Sequence, residues 1–126
     1  MAILDTSAII DLAAQKEKLV ELVTKLNTNG DDLLISTISI FELASSKPSG
    51  IDPRRKRLLE FFEIVNFTEN QAELAGLIYR SLLDRGLDIG EIDCLIAAVA
   101  LDKQQVLITS NKKHFERIEG LKMESY

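Results

Sequence analysis

Three acids in this chain stand where ordinary surface carboxylates do not. Asp5 follows the apolar run Ala2-Ile3-Leu4, Glu42 is the only charge within ISIFELASS, and Asp93 stands directly ahead of the apolar run Cys94 to Leu101. Ionised carboxylates set against apolar neighbours lose hydration, and if the fold gathers them they also repel one another. Either their pKa values rise or a cation compensates. A hard divalent ion is the natural answer, since Mg2+ and Mn2+ favour oxygen ligands and Mg2+ takes one or two carboxylates while keeping several waters. Such a site supports cleavage of a phosphodiester strand, by lowering the pKa of a bound water and offsetting charge at phosphorus. A plainer reading stands beside this one: Asp and Ser are common caps at helix starts, and taken alone Asp5 is more readily a cap than a functional acid.

These acids need elements to hold them. Ile3 and Leu4 read as the end of a buried strand, with Asp5 at its carboxyl edge and Thr6 or Ser7 placed to cap the helix that follows through Ile9, Ile10, Leu12 and Ala13. Ligands of open parallel α/β sheets bind in the crevice beyond the carboxyl ends of strands, which is where Asp5 stands. Leu19, Leu22, Val23 and Leu26 mark one face of an amphipathic helix, broken at Asn29-Gly30, and Leu33 to Ile35 form a short strand running into Ser36-Thr37. Ile38, Phe41 and Leu43 are expected to pack around Glu42. Asp52-Pro53 reads as a cap and first helical residue for a helix that begins RRKR and continues LLEFFEI, its cations against the macrodipole. Phe61, Phe62, Val65 and Phe67 are expected chiefly in the core, with Val65 and Phe67 in a short strand. Thr68 to Gln71 forms a capping box for a helix carrying Leu74, Leu77, Ile78 and Leu82 and stopping at Gly86. The helix after Gly90 is apolar nearly all round and should be central. Val106 to Ile108 is a further strand, Asn111 to Arg117 a loop or short helix, and Leu121 to Glu124 an edge strand. Strands alternating with helices imply an α/β layer fold with a mostly parallel sheet.

With 126 residues, 46% of them apolar, the chain suffices for one domain with a proper core. Its longest apolar runs fall short of a membrane span, and no basic-then-apolar leader opens it. The single cysteine, Cys94, lies in an apolar helical run and reads as a small core residue, which fits a reducing cytoplasm. A net charge of −5 argues at first against nucleic acid, but setting the three acids aside as a cation site leaves −2, and local basic groups then decide. Lys112 and Lys113 are placed to meet phosphates or are plain surface charge. Arg54 to Arg57 is either a solvated helix face or a landing point for an acidic partner. Glu91 reads as a helix-start acid, and Asp11, Asp84, Asp88 and Asp102 as solvated charges. A phosphoacceptor receiver domain would need paired acids at the first strand end and a lysine after the penultimate strand, and has neither here.

The pieces ILDTSAIIDL, ISIFELASS, IGEIDCLIAAVAL and VLITSNKKHFERIEGLKM, in this order and at these distances, resemble a PIN-domain ribonuclease, specifically the VapC toxins of prokaryotic toxin–antitoxin pairs. The resemblance covers nearly the whole chain. It implies a PIN-like three-layer α/β/α fold with a central, mostly parallel five-stranded sheet, and a Mg2+- or Mn2+-dependent endoribonuclease. It further implies that Asp5, Glu42 and Asp93 are the metal-site and catalytic acids, and that Thr6 supports Asp5 by hydrogen bonding. The family's fourth position, often an aspartate, is Asn111 here, expected within reach of a metal-bound water. Where many relatives carry an acid before the phenylalanine stands His114, either a partly exposed surface residue, a phosphate donor or a Mn2+ ligand. The partners implied are an RNA substrate (tRNA, ribosomal RNA or mRNA), a cognate antitoxin and a second copy of the chain. The alternative is a weakened PIN domain that binds RNA or antitoxin without efficient cleavage.

Overall fold

A computed structural model describes residues 1–126. The chain runs β1 (Ala2–Leu4), α1 (Thr6–Ala13), α2 (Glu17–Thr28), β2 (Leu33–Ser36), α3 (Thr37–Ser45), α4 (Pro53–Leu59), β3 (Glu63–Val65), α5 (Glu69–Asp84), α6 (Glu91–Asp102), β4 (Val106–Ile108), α7 (Lys112–Phe115) and β5 (Met123–Glu124). The five strands form one sheet in the order β3-β2-β1-β4-β5, and every neighbouring pair is parallel. Parallel pairing demands a crossover between strands, and the helices supply it on both faces.

The period of two along each strand divides the core in half. Ile3, Leu34 and Leu107 point to one face, where they meet α5, α6 and α7 through Leu82, Ile96, Val99 and Phe115. Ala2, Leu4, Ile35 and Ile108 point to the other, against Ala8, Ile9, Leu19 and Leu43 of α1, α2 and α3. The expected central helix is α6, whose Cys94 and residues Ile96 to Ala100 are all buried. Its alanines let α5 lie close along it. Burial pushes the Cys94 thiol up to about 11, so it stays protonated and inert at neutral pH.

Two signals at helix starts form as read. Asp52 caps α4 with Pro53 in its first turn, and Thr68 and Gln71 complete a reciprocal capping box on α5.

Other expectations need correction. The helix opened by Pro53 ends at Leu59 instead of continuing through LLEFFEI, because Glu60, Phe61 and Phe62 close tight turns onto the carbonyls three residues back. The chain then enters β3 in register with Leu34 and Ile35. Lys56 and Arg57 therefore fall in the last turn of α4, where the macrodipole favours them. The same turn buries Phe62 and leaves Phe61 82% exposed. Phe67 lies beyond β3, and Phe41 and Leu77 are exposed on the outer faces of α3 and α5. Asp11 is not solvated: Tyr126 donates its hydroxyl to it at 2.7 Å and Lys16 pairs with it at 3.0 Å. Asp102, by contrast, is exposed as read, and it also accepts from the buried amide of Gln71 at 3.0 Å.

Candidate active site

The connections out of β1 part at its carboxyl end: the chain moves to β2 and β3 on one side, then returns to place β4 on the other. Such a switch point opens a crevice above the sheet. Asp5 and Thr109, the first residues beyond β1 and β4, line it, and the Asp5 N–H still bonds the Ile108 carbonyl at 3.1 Å.

Asp5 has two duties. It is itself the cap of α1, the plainer of the two readings of this residue, and Thr6 and Ser7 are not: its Oδ1 accepts from the Ala8 N–H and from the Ser7 hydroxyl, both at 2.8 Å. Its Oδ2 accepts from the buried hydroxyl of Thr109. Only 4% of Asp5 is exposed, and burial raises its carboxyl above the usual range; bonds from Thr109, Ala8 and Ser7 pull it back down, and the charge of Asp93 adds to the rise. Capping α1 thus does not by itself exclude Asp5 from a functional role.

Thr6 corrects a second expectation. Its hydroxyl bonds Glu42 of α3 and lies 2.9 Å from the Ser39 hydroxyl, so it supports Glu42 and not Asp5. One hydroxyl carries one hydrogen and a carboxylate only accepts, so Thr6 donates to Glu42 and Ser39 donates to Thr6. Ser39 is completely buried and Glu42 half-buried, as its isolation among apolar residues suggested.

Asp93 enters from the opposite face of the sheet. Gly90, with a φ of 94° that side-chain-bearing residues rarely adopt, turns the chain into α6 so that Asp93 falls in the first helical turn. Glu91 is exposed. The Asp93 carboxylate is 3.1 Å from Nδ1 of His114, and the same nitrogen is 2.8 Å from the side-chain amide of Asn111. Asn111, just beyond β4, gives its backbone N–H to Thr109 Oγ1 at 2.9 Å. Lys112 and Lys113 are exposed beside it.

Sequence reasoning missed Thr109 and Ser39 and left His114 open. The only signal for Thr109 was a hydroxyl immediately after a strand, a pattern that DTS already shows at the other corner. Thr109 is fully buried and binds Asp5 and Asn111 at once. Thr109→Val, of nearly the same shape, should therefore cost about 1–3 kcal/mol by leaving the Asn111 N–H without its partner. It also removes the bond that most lowers the Asp5 carboxyl, so that value climbs further and the loss should shrink as pH falls and Asp5 is protonated. Denaturant unfolding at two pH values checks both parts.

The donor set suits a hard cation. No three Asp, Glu, His or Cys side chains converge closely enough, as they stand, to enclose an ion. Mg2+ does not require that, since it keeps several waters and takes one or two carboxylates directly. A buried carboxylate whose ionised form is disfavoured by burial and by a second carboxylate is the electrostatic situation that a cation relieves. An apolar groove of about 640 Å3 between α1, α2 and α4 lies elsewhere and is lined by Leu12, Val20, Val23, Leu58, Phe61 and Phe62.

Residues 2–121 match the family model of the PIN domain. The chain is 35% identical to Ribonuclease VapC1 of Methanocaldococcus jannaschii, over 96% of this chain and 85% of that protein. It is 28% identical to the tRNA(fMet)-specific endonuclease VapC of Salmonella typhimurium, over 98% and 96%. In three dimensions it resembles a chain of VapBC2 from Rickettsia felis, solved bound to a DNA fragment from their promoter, with a TM-score of 0.87, 27% identity and coverage of 99% and 98%.

Proposed function

The chain belongs to the PIN-domain family, and from that premise we propose that Asp5, Glu42 and Asp93 hold a Mg2+ or Mn2+ ion for RNA cleavage, residues 1–126 acting as a single domain. It is a VapC-type endoribonuclease, the toxin of a toxin–antitoxin pair. The observation that carries the proposed site is the buried Asp5 carboxylate at the switch point of the sheet, raised by burial and by the charge of Asp93.

The ion would supply an acidified water and charge neutralisation at the phosphate. The chain's own residues do the rest. Ser7, Ala8 and Thr109 fix both oxygens of Asp5, Thr6 fixes Glu42, and Asn111 forms the rim beside Asp93 through His114. Lys112 and Lys113 meet RNA phosphates at that rim, positioning the strand without reading its sequence. The substrate class is tRNA, ribosomal RNA or mRNA, and the setting is the cytoplasm. The apolar groove beside α4, with Arg54 and Arg57 along its edge, suits the antitoxin, and a second copy of the chain completes a homodimer.

The test is cleavage of a labelled RNA by the purified protein across Mg2+ and Mn2+ titrations and in chelator, at one ionic strength, because salt alone changes RNA affinity. Cleavage should require the cation and disappear in Glu42→Gln and Asp93→Asn. RNA that is bound and left intact at every metal concentration would favour the alternative, a PIN domain that binds without cutting.

A further inference from the structure

Each proposed metal-site acid has its own orienting partner, and for Asp93 there is only one. Asp5 accepts from three groups, Glu42 from Thr6 alone, and the Asp93 side chain from His114 alone. Resting on the reading of Asp93 as a metal-site acid, we propose that His114 is a positioning residue that aims Asp93, and that Asn111 in turn aims the imidazole.

Nδ1 of His114 faces both Asp93 Oδ2, at 3.1 Å, and the Asn111 amide, at 2.8 Å. An ionised carboxylate only accepts, so Nδ1 carries the hydrogen. A protonated nitrogen cannot accept from an NH2 group, so Asn111 turns its amide oxygen, not its nitrogen, toward the ring and shares the one Nδ1 hydrogen with Asp93 in a three-centre bond; the two amide orientations fill the same space. Asn111 thus acts on the site through the ring and not by reaching a metal-bound water. The ring is held from both ends of α7: Asn111 is tied through its backbone to Thr109, and Phe115, the next residue, is fully buried. With its Oδ2 engaged by His114, Asp93 keeps Oδ1 free to face the site.

Groups that orient a metal ligand are typically worth about 10–100-fold in metal affinity or activity. The test uses His114→Phe, which keeps a ring and removes the donor, and His114→Asn, whose amide N–H can take the place of Nδ1–H. Mn2+ alone is titrated calorimetrically into each protein, and kcat and KM are measured on a labelled RNA. His114→Phe should weaken Mn2+ binding and lower kcat by roughly 10-fold or more with KM little changed, and His114→Asn should recover most of both. The nitrogen-15 spectrum of the wild-type imidazole, recorded where the ring is neutral, should show the Nδ1–H tautomer. That measurement needs no variant and stands even if His114→Phe fails to fold. An Nε2–H tautomer, or Mn2+ binding and turnover in His114→Phe equal to wild type, overturns the proposal. Asp93→Asn separates the two levels: if it is inactive while His114→Phe is unaffected, the positioning role alone fails, and if it binds Mn2+ and cuts RNA normally, the site itself fails.

Discussion

Asp5→Asn should lose RNA cleavage by more than the 10–100-fold that changes to a ligand's supporting groups typically cause, while its melting temperature at neutral pH holds or rises. The two halves have one cause. Asparagine caps a helix about as well as aspartate, so the bonds from the Ala8 N–H and the Ser7 hydroxyl survive on Oδ1. The new NH2 group meets Thr109, whose hydroxyl oxygen can accept where its hydrogen previously donated. What disappears is a negative charge that burial and Asp93 both disfavour. The sign follows from proton linkage. The folded carboxyl titrates above its ordinary value of 3.8, so the folded state binds the proton more tightly, and the stability this gives is lost as pH rises through the raised value. Above that window wild type carries the cost of ionised Asp5 and the Asn variant does not; below 3.8 the difference should vanish. Thermal melts across pH, set beside metal-dependent cleavage, check both halves. A variant that cuts RNA like wild type would remove Asp5 from the chemistry and leave it a cap.

Phe115→Ala should lower stability by about 3–5 kcal/mol, the usual cost of emptying a buried aromatic site. For a domain of this size that is a fall on the order of 10–20 °C in melting temperature. Phe115 is fully buried in the half of the core shared by α6 and β4, and it closes a helix of only four residues. So short a helix has little stability of its own, and its position depends on that side chain. Because α7 carries His114 and follows directly on Asn111, its loosening should reach Asp93. Cleavage should therefore fall even at temperatures where the variant remains folded, a result read by calorimetry together with activity at low temperature. An unchanged melting temperature would mean that the cavity had closed at no cost and that α7 is held by other contacts.

Much of this molecule could be read from its residues in order. Apolar runs ending at Leu4, Ile35 and Ile108, each followed by a hydroxyl or an acid and then by helix, determined the alternating α/β layers, because strand and helix periods are local and each corner needs a cap. The all-round apolar pattern after Asp93 determined a central helix, and Thr68 with Gln71 determined where α5 begins. The three acids stood out because a charge among apolar residues is conspicuous without any coordinates.

What the sequence left open depends on which atoms meet across the sheet. That Phe61 faces solvent while Phe62 faces the core follows from where α4 gives way to β3, and that was decided by the register of β3 on β2. The orienting groups are hydroxyls and a ring, chemically commonplace, and their roles depend on separations of up to 104 residues along the chain: Thr109 to Asp5, Thr6 to Glu42, His114 to Asp93. Composition and spacing identify charges worth neutralising. Only the packing of β4 against β1, of α1 against α3 and of α7 against α6 decides which neighbour holds each charge in place, because hydrogen bonds form over about 3 Å and no local pattern encodes that distance between remote segments.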